Sequence, residues 1–101
     1  MENEETPPEA GQKLFLQLFV SGMSPKSMEA IENAKRIFSE SNNELFELEI
    51  IDLYKNPEAA QSYHVVFTPS LVKSLPLPRK VLIGTLADSE KVIKALGITI
   101  K

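Results

Sequence analysis

A chain of 101 residues, 43% hydrophobic and 25% charged, suffices for one compact domain with a real core and is too short for two. The formal net charge of −3, with basic residues scattered and none alternating with aromatics, argues against nucleic acid as a partner. With no cysteine and one histidine, disulfides, thiolate-bound zinc and thiol catalysis are excluded together, a multi-histidine metal centre lacks its ligands, and no cofactor is implied.

Residues 1–12, "MENEETPPEAGQ", carry four glutamates, two adjacent prolines and a glycine. That composition buries too little apolar surface to offset its ordering entropy, so a flexible acidic arm is expected, with the folded domain at residues 13–101. The arm is unlike a signal peptide, and no apolar run approaches the roughly 20 residues that span a bilayer. A cytoplasmic protein with no membrane partner is expected.

"KLFLQLFVSG" is a nearly continuous apolar run of strand length. Leu14, Leu16, Leu18 and Val20 fall on one face and Phe15 and Phe19 on the other, which predicts a central strand covered on both sides. "SGMSPKSMEAIENAKRIFSES" then switches to helical spacing, with Ser24 as N-cap, Pro25 at the first helical position and Met28, Ile31, Ala34, Ile37 and Phe38 as the apolar stripe. The helix is expected to stop near Asn42-Asn43.

"ELFELEIIDLY" returns to period two, with Phe46, Leu48 and Ile50 opposed to Glu47, Glu49 and Ile51, the pattern of a half-exposed strand near a sheet edge. Asn56-Pro57 repeats the cap-plus-proline start signal for a short helix in "NPEAAQSYH". Two strands follow, joined at Leu75-Pro76-Leu77-Pro78. The last segment, "ADSEKVIKALG", has Asp88 as N-cap, Val92, Ile93 and Leu96 as its buried side and Gly97 as its left-handed stop. The order βαβαββα predicts an α/β sandwich with a central mixed sheet, its first crossover right-handed and its first two strands parallel.

That order is also the order of thioredoxins, with Thr68-Pro69 where their cis-proline lies and "VSGMSPKS" where their cysteine pair lies. The stretches "LQLFVSGMSPKSMEAI", "IIDLYKNPEAA", "FTPSLVKSLPLPRKVLIGTLAD" and "SEKVI", together covering nearly everything from Leu14 to Val92, resemble the KaiB family, cysteine-independent relatives of thioredoxins. The resemblance implies a non-enzymatic regulator that binds the ring of a KaiC-type ATPase, with clock-associated histidine kinases sharing the same thioredoxin-like body and competing for that partner. It also implies two accessible folds, the thioredoxin-like one and a tetramer-forming ground state of order βαββααβ, and so a dimer or tetramer as the homo-oligomer. Thr68, Pro69, Pro76 and Pro78 form the loop expected to differ between them.

Each residue also has a plainer reading. Pro69 is read first as a fixed turn, with switching second. His64 is read as a surface histidine and not a catalytic base or metal ligand. Glu47 and Glu49 lack any companion motif for acid/base chemistry and are read as a solvated strand face. Asp52 is expected to orient the turn that follows it. Lys73, Arg79 and Lys80 are read as a small basic group around the hairpin, either ordinary surface charge or a match for an acidic partner.

The resemblance places the partner surface at the first-helix start and the strand beside it, through Ser24, Lys26, Glu29, Glu47 and Glu49, with Lys73 and Arg79 as additions. Clock-type relatives tend to be basic where this chain has Glu29 and Glu49, so the partner's charge is expected to differ. They also tend to carry glycine at Ala95 and aspartate at Gly97. Ala is favoured over Gly in a helix by roughly 0.8–1 kcal/mol, and glycine is the better left-handed stop. Both changes predict a final helix and the thioredoxin-like state. A free-standing chain favours an adaptor over the alternative, a sensor module related to the input domains of clock-associated histidine kinases.

Overall fold

The computed structural model describes residues 13–41 and 46–97. The acidic arm, the expected stop at Asn42-Asn43 and residues 98–101 lie outside the described residues. In chain order the elements are β1 (Leu14–Val20), α1 (Pro25–Ser41), β2 (Phe46–Asp52), α2 (Glu58–Ser62), β3 (Ser70–Leu75), β4 (Lys80–Ile83) and α3 (Ser89–Ala95). The sheet order is β2-β1-β3-β4; β1 and β2 are parallel, and the β1–β3 and β3–β4 pairs antiparallel. This is the expected thioredoxin-like βαβαββα arrangement and not the alternative βαββααβ order, with β1 inside and β2 at an edge.

Two hydrophobic clusters lie on the two faces of this sheet. On one face, Leu14, Leu16, Leu18 and Val20 of β1 meet Ala30, Ala34, Ile37 and Phe38 of α1, Val92 of α3 and Leu96 just past its end. On the other, Phe19, Ile51 and Val72 pack with Ala59 of α2. The alternation of β1 thus feeds both layers. Because α2 has only five residues, it covers one end of its face, and Phe15 at the start of β1 is exposed. In α1, Met28 is 44% exposed, whereas Ser27 and Ala30 are buried. The buried positions 27, 30, 34, 37 and 38 follow one helical stripe, and Met28 is a residue out of phase with it.

β2 departs from the expected alternation in the same way. Phe46 is buried, yet Ile50 is 37% exposed at the edge, while Ile51 is buried under α2 opposite Phe19. Edge position and helix coverage decide burial here, not period alone.

The helix ends follow known capping chemistry. Ser24 Oγ accepts from Ser27 N at 3.2 Å and Pro25 opens α1. Asp88 Oδ1 accepts from Lys91 N at 3.2 Å, and Gly97, at φ 72°, donates its N–H to Lys94 O at 3.1 Å beyond α3. Ala95 is the last helical residue, with Leu96 buried just after it. Asn56 does not cap α2 with its side chain; Pro57 precedes the helix. At the other end His64 takes φ 58°, with His64 N bonded to Gln61 O at 3.3 Å and Val65 N to Ala60 O at 2.8 Å. This pair of bonds is a Schellman stop, with histidine at the place usually given to glycine. The exposed His64 is therefore a structural stop.

Candidate interaction surface

The turn from β1 into α1 is held by hydroxyl groups. Ser21 Oγ and Thr68 Oγ1 are 2.6 Å apart, joining this turn to the loop before β3. Ser27 Oγ, buried, receives Ser21 N at 3.1 Å and Ser24 Oγ at 2.9 Å. Gly22 takes φ 64° and donates its N–H to Asp52 Oδ1 at 2.9 Å. The peptide bonds before Pro69, Pro76 and Pro78 are all cis. Pro69 is buried, and Pro76 and Pro78 are half-buried in the β3–β4 connection.

Asp52 does more than orient its own turn. The parallel register sets Val20 opposite Asp52, which brings the two turns leaving β1 and β2 side by side. One carboxylate oxygen then accepts from Gly22 N and from Tyr54 N at 3.0 Å. These two backbone bonds, Gly22 first, hold the Asp52 carboxyl below its ordinary value of 3.8, helped by the charge of Lys55 and opposed in part by burial. A group with a lowered folded value stabilises the fold above its unfolded value and loses that contribution as pH falls through the folded one. The stability advantage of the wild type over Asp52→Asn should therefore be full above pH 3.8 and be lost as pH falls from there through the lower folded value. Urea titrations across the acid range would check this; a constant advantage down to the acid unfolding limit would refute it.

The expected partner residues do not form one cluster. Ser24 and Lys26 are exposed at the start of α1, at the sheet end where β1 and β2 both finish, and Glu29 is exposed further along the helix. Glu47 and Glu49 are exposed on β2, on the sheet face that carries α2, whereas α1 packs against the opposite face. They join the α1 residues only around the β2 edge. Glu47 lies 3.6 Å from Lys13 Nζ in an exposed pair that adds little to stability.

The basic group at the hairpin separates too. Arg79 is exposed, and its Nη2 donates to Tyr63 O at 2.5 Å, tying the hairpin to the end of α2. Lys73, expected at the surface, is 2% exposed. It sits in β3 between its register neighbours Leu16 and Lys80. Burial, and then the charge of Lys80, lower its pKa from 10.5. Its location could be read only once β3 was known to lie inside the sheet. Among the described residues, no group of His, Cys, Asp and Glu could hold a metal ion, and no helix is long and apolar enough to cross a membrane.

The chain matches the KaiB domain over residues 17–98. It is similar to the circadian clock oscillator protein KaiB of Synechococcus elongatus, 39% identical over 84 residues, which are 83% of this chain and 82% of that protein. It is also similar to the circadian clock protein KaiB3 of Synechocystis sp., 36% identical over 86 residues, 85% and 84% of the two chains. Among solved structures, the N-terminal domain of Synechococcus elongatus SasA superposes with a TM-score of 0.67 at 30% identity, over 94% of this chain and 93% of that one. Chloroplastic thioredoxin z superposes with a TM-score of 0.69 at 14% identity, over 87% and 79%, a likeness of fold alone.

Proposed function

Because the chain belongs to the KaiB family, we propose that it is a non-enzymatic adaptor that binds a KaiC-type ATPase or kinase and regulates it in a bacterial clock or a clock-derived timing or stress system. The observation that carries this reading is the match of residues 17–98 to the KaiB domain. The hydroxyl joint between Ser21 and Thr68 supports it, since the site where thioredoxins do chemistry holds no thiolate here. The partner contacts Ser24, Lys26 and Glu29 at α1 and Glu47 and Glu49 around the β2 edge, with Arg79 in addition. Lys73, enclosed between β1 and β4, contributes its charge and not a contact.

Co-elution with a KaiC-type ATPase from the same organism in the presence of ATP or ADP tests the reading, and failure to bind any such ATPase would overturn it. Within a complex so obtained, Glu49→Lys is expected to weaken association about tenfold or more, because like charges set against each other at an interface cost several kcal/mol. An unchanged affinity would remove β2 from the surface.

The similarity to the SasA N-terminal domain favours a second reading, a sensor module related to the input domain of a clock-associated histidine kinase. An adaptor added alone changes the ATPase rate or phosphorylation state of its partner. A sensor module binds and leaves both as they were.

A further inference from the structure

At the edge of the sheet opposite β2, no strand among the described residues pairs with the outer side of β4. Gly84 N donates to Pro69 O at 2.9 Å, and the register sets Leu82 against Leu71 and Lys80 against Lys73. Antiparallel alternation therefore turns the N–H and C=O groups of Lys80 and Leu82 inward and those of Val81 and Ile83 outward. The open edge presents two donors and two acceptors in strand geometry.

The side chains around this edge are ordered by face. Val81 and Ile83, 43% and 64% exposed, stand on the α2 side and line a cavity of about 170 Å3 with Val65, Phe67 and Arg79. Ser70 also lines it; that residue is 2% exposed, and its Oγ has no hydrogen-bond partner among the described residues. None of the residues lining the cavity is acidic, and the Arg79 guanidinium stands at it. Lys80 emerges on the opposite face beside its register partner Lys73, and no carboxylate among the described residues pairs with either. Like charges directly across a sheet destabilise it unless a counter-charge arrives.

We propose that the outer edge of β4 is a strand-addition site for an extended segment of a protein partner in which aliphatic and acidic residues alternate. The segment's backbone completes the bonds of Val81 and Ile83, its aliphatic side chains continue their row over the cavity, and its carboxylates fall on the far face beside Lys80. A flanking acidic residue reaches Arg79. Such a site has an apolar row, a free ladder and a cationic margin, which β4 combines. It lies apart from the α1 and β2 residues of the surface proposed above, meets that surface only at Arg79, and does not depend on the function proposed there.

The test uses the full chain and two synthetic peptides, one alternating valine with glutamate and the other valine with lysine. The glutamate peptide should bind at least about tenfold more tightly than the lysine peptide by fluorescence anisotropy. It should slow hydrogen exchange at the amides of Val81 and Ile83, with Leu82 unchanged. Val81→Pro, which removes an outward donor and no ladder bond, and Val81→Glu, which sets a like charge against the peptide, should each weaken binding about tenfold. Equal affinity for the two peptides, protection on β2 in place of β4, or wild-type self-association that Val81→Glu abolishes would each overturn the assignment, the last by identifying a second copy as the occupant. Both variants should retain whatever affinity the chain has for a KaiC-type ATPase, and a loss there as well would overturn the separation of the two surfaces.

Discussion

Gly22→Ala is expected to lower the melting temperature by roughly 5–10 °C, from a left-handed penalty of about 1–2 kcal/mol in a domain of this size. Gly22 holds φ 64° while its N–H bonds Asp52, and an added Cβ would stand 2.7 and 2.8 Å from two ring carbons of Tyr54. The Tyr54 ring is exposed and can swing aside, so the backbone term is the larger one. If the turn instead relaxes to negative φ, the Asp52 bond is lost and the two turns part. Adding Tyr54→Ala to the variant should recover only the smaller, steric share. A melting temperature within about 2 °C of wild type would show that the left-handed turn is not required.

Lys73→Met is expected to raise stability at neutral pH, by on the order of 1 kcal/mol. A charged amine on a buried stem beside Lys80, with no carboxylate paired to it among the described residues, loses part of its hydration and is repelled. Methionine keeps the length of the stem that packs there and removes the charge. The folded pKa of Lys73 lies below 10.5, so between the folded value and 10.5 the unfolded chain holds a proton that the folded chain has released. Wild-type stability therefore rises with pH across that window, and the advantage of the methionine variant should shrink as pH approaches 10.5. Chemical unfolding of both proteins at neutral and alkaline pH checks this. A methionine variant less stable than wild type at neutral pH would show that the ammonium is better satisfied than its surroundings indicate.

The elements were legible in the sequence because their signals are local. β1 announced itself by an apolar run, α1 by Ser24-Pro25 and α3 by Asp88 and Gly97, and each cap is made as the residues suggest. What sequence could not give was decided by neighbours far along the chain. Met28 and Ser27 are adjacent, and only the packing of α1 on the sheet determines which of them is buried. Ile50 and Ile51 exchange roles because α2 covers one and the sheet edge exposes the other. Lys73 reads as surface charge until β3 is known to lie between β1 and β4. The reach of Asp52 to Gly22 follows from the parallel register of β1 and β2, which a single strand does not reveal. The α1 and β2 residues of the candidate surface are exposed, but their division between opposite faces is a property of the assembled sheet.

The sheet order also sets how the molecule is seen from a distance. Glu47 and Glu49 lie along one margin and Arg79 and Lys80 along the other. Three strand spacings, about 14 Å, separate the margins. This exceeds the Debye length of about 8 Å at physiological ionic strength. A body approaching from solution then meets the sign of the nearer margin and not the overall charge of −3. In dilute salt, where the screening length grows to about 30 Å, the margins merge into one anion with a dipole across its strands, which turns the molecule before any contact is made.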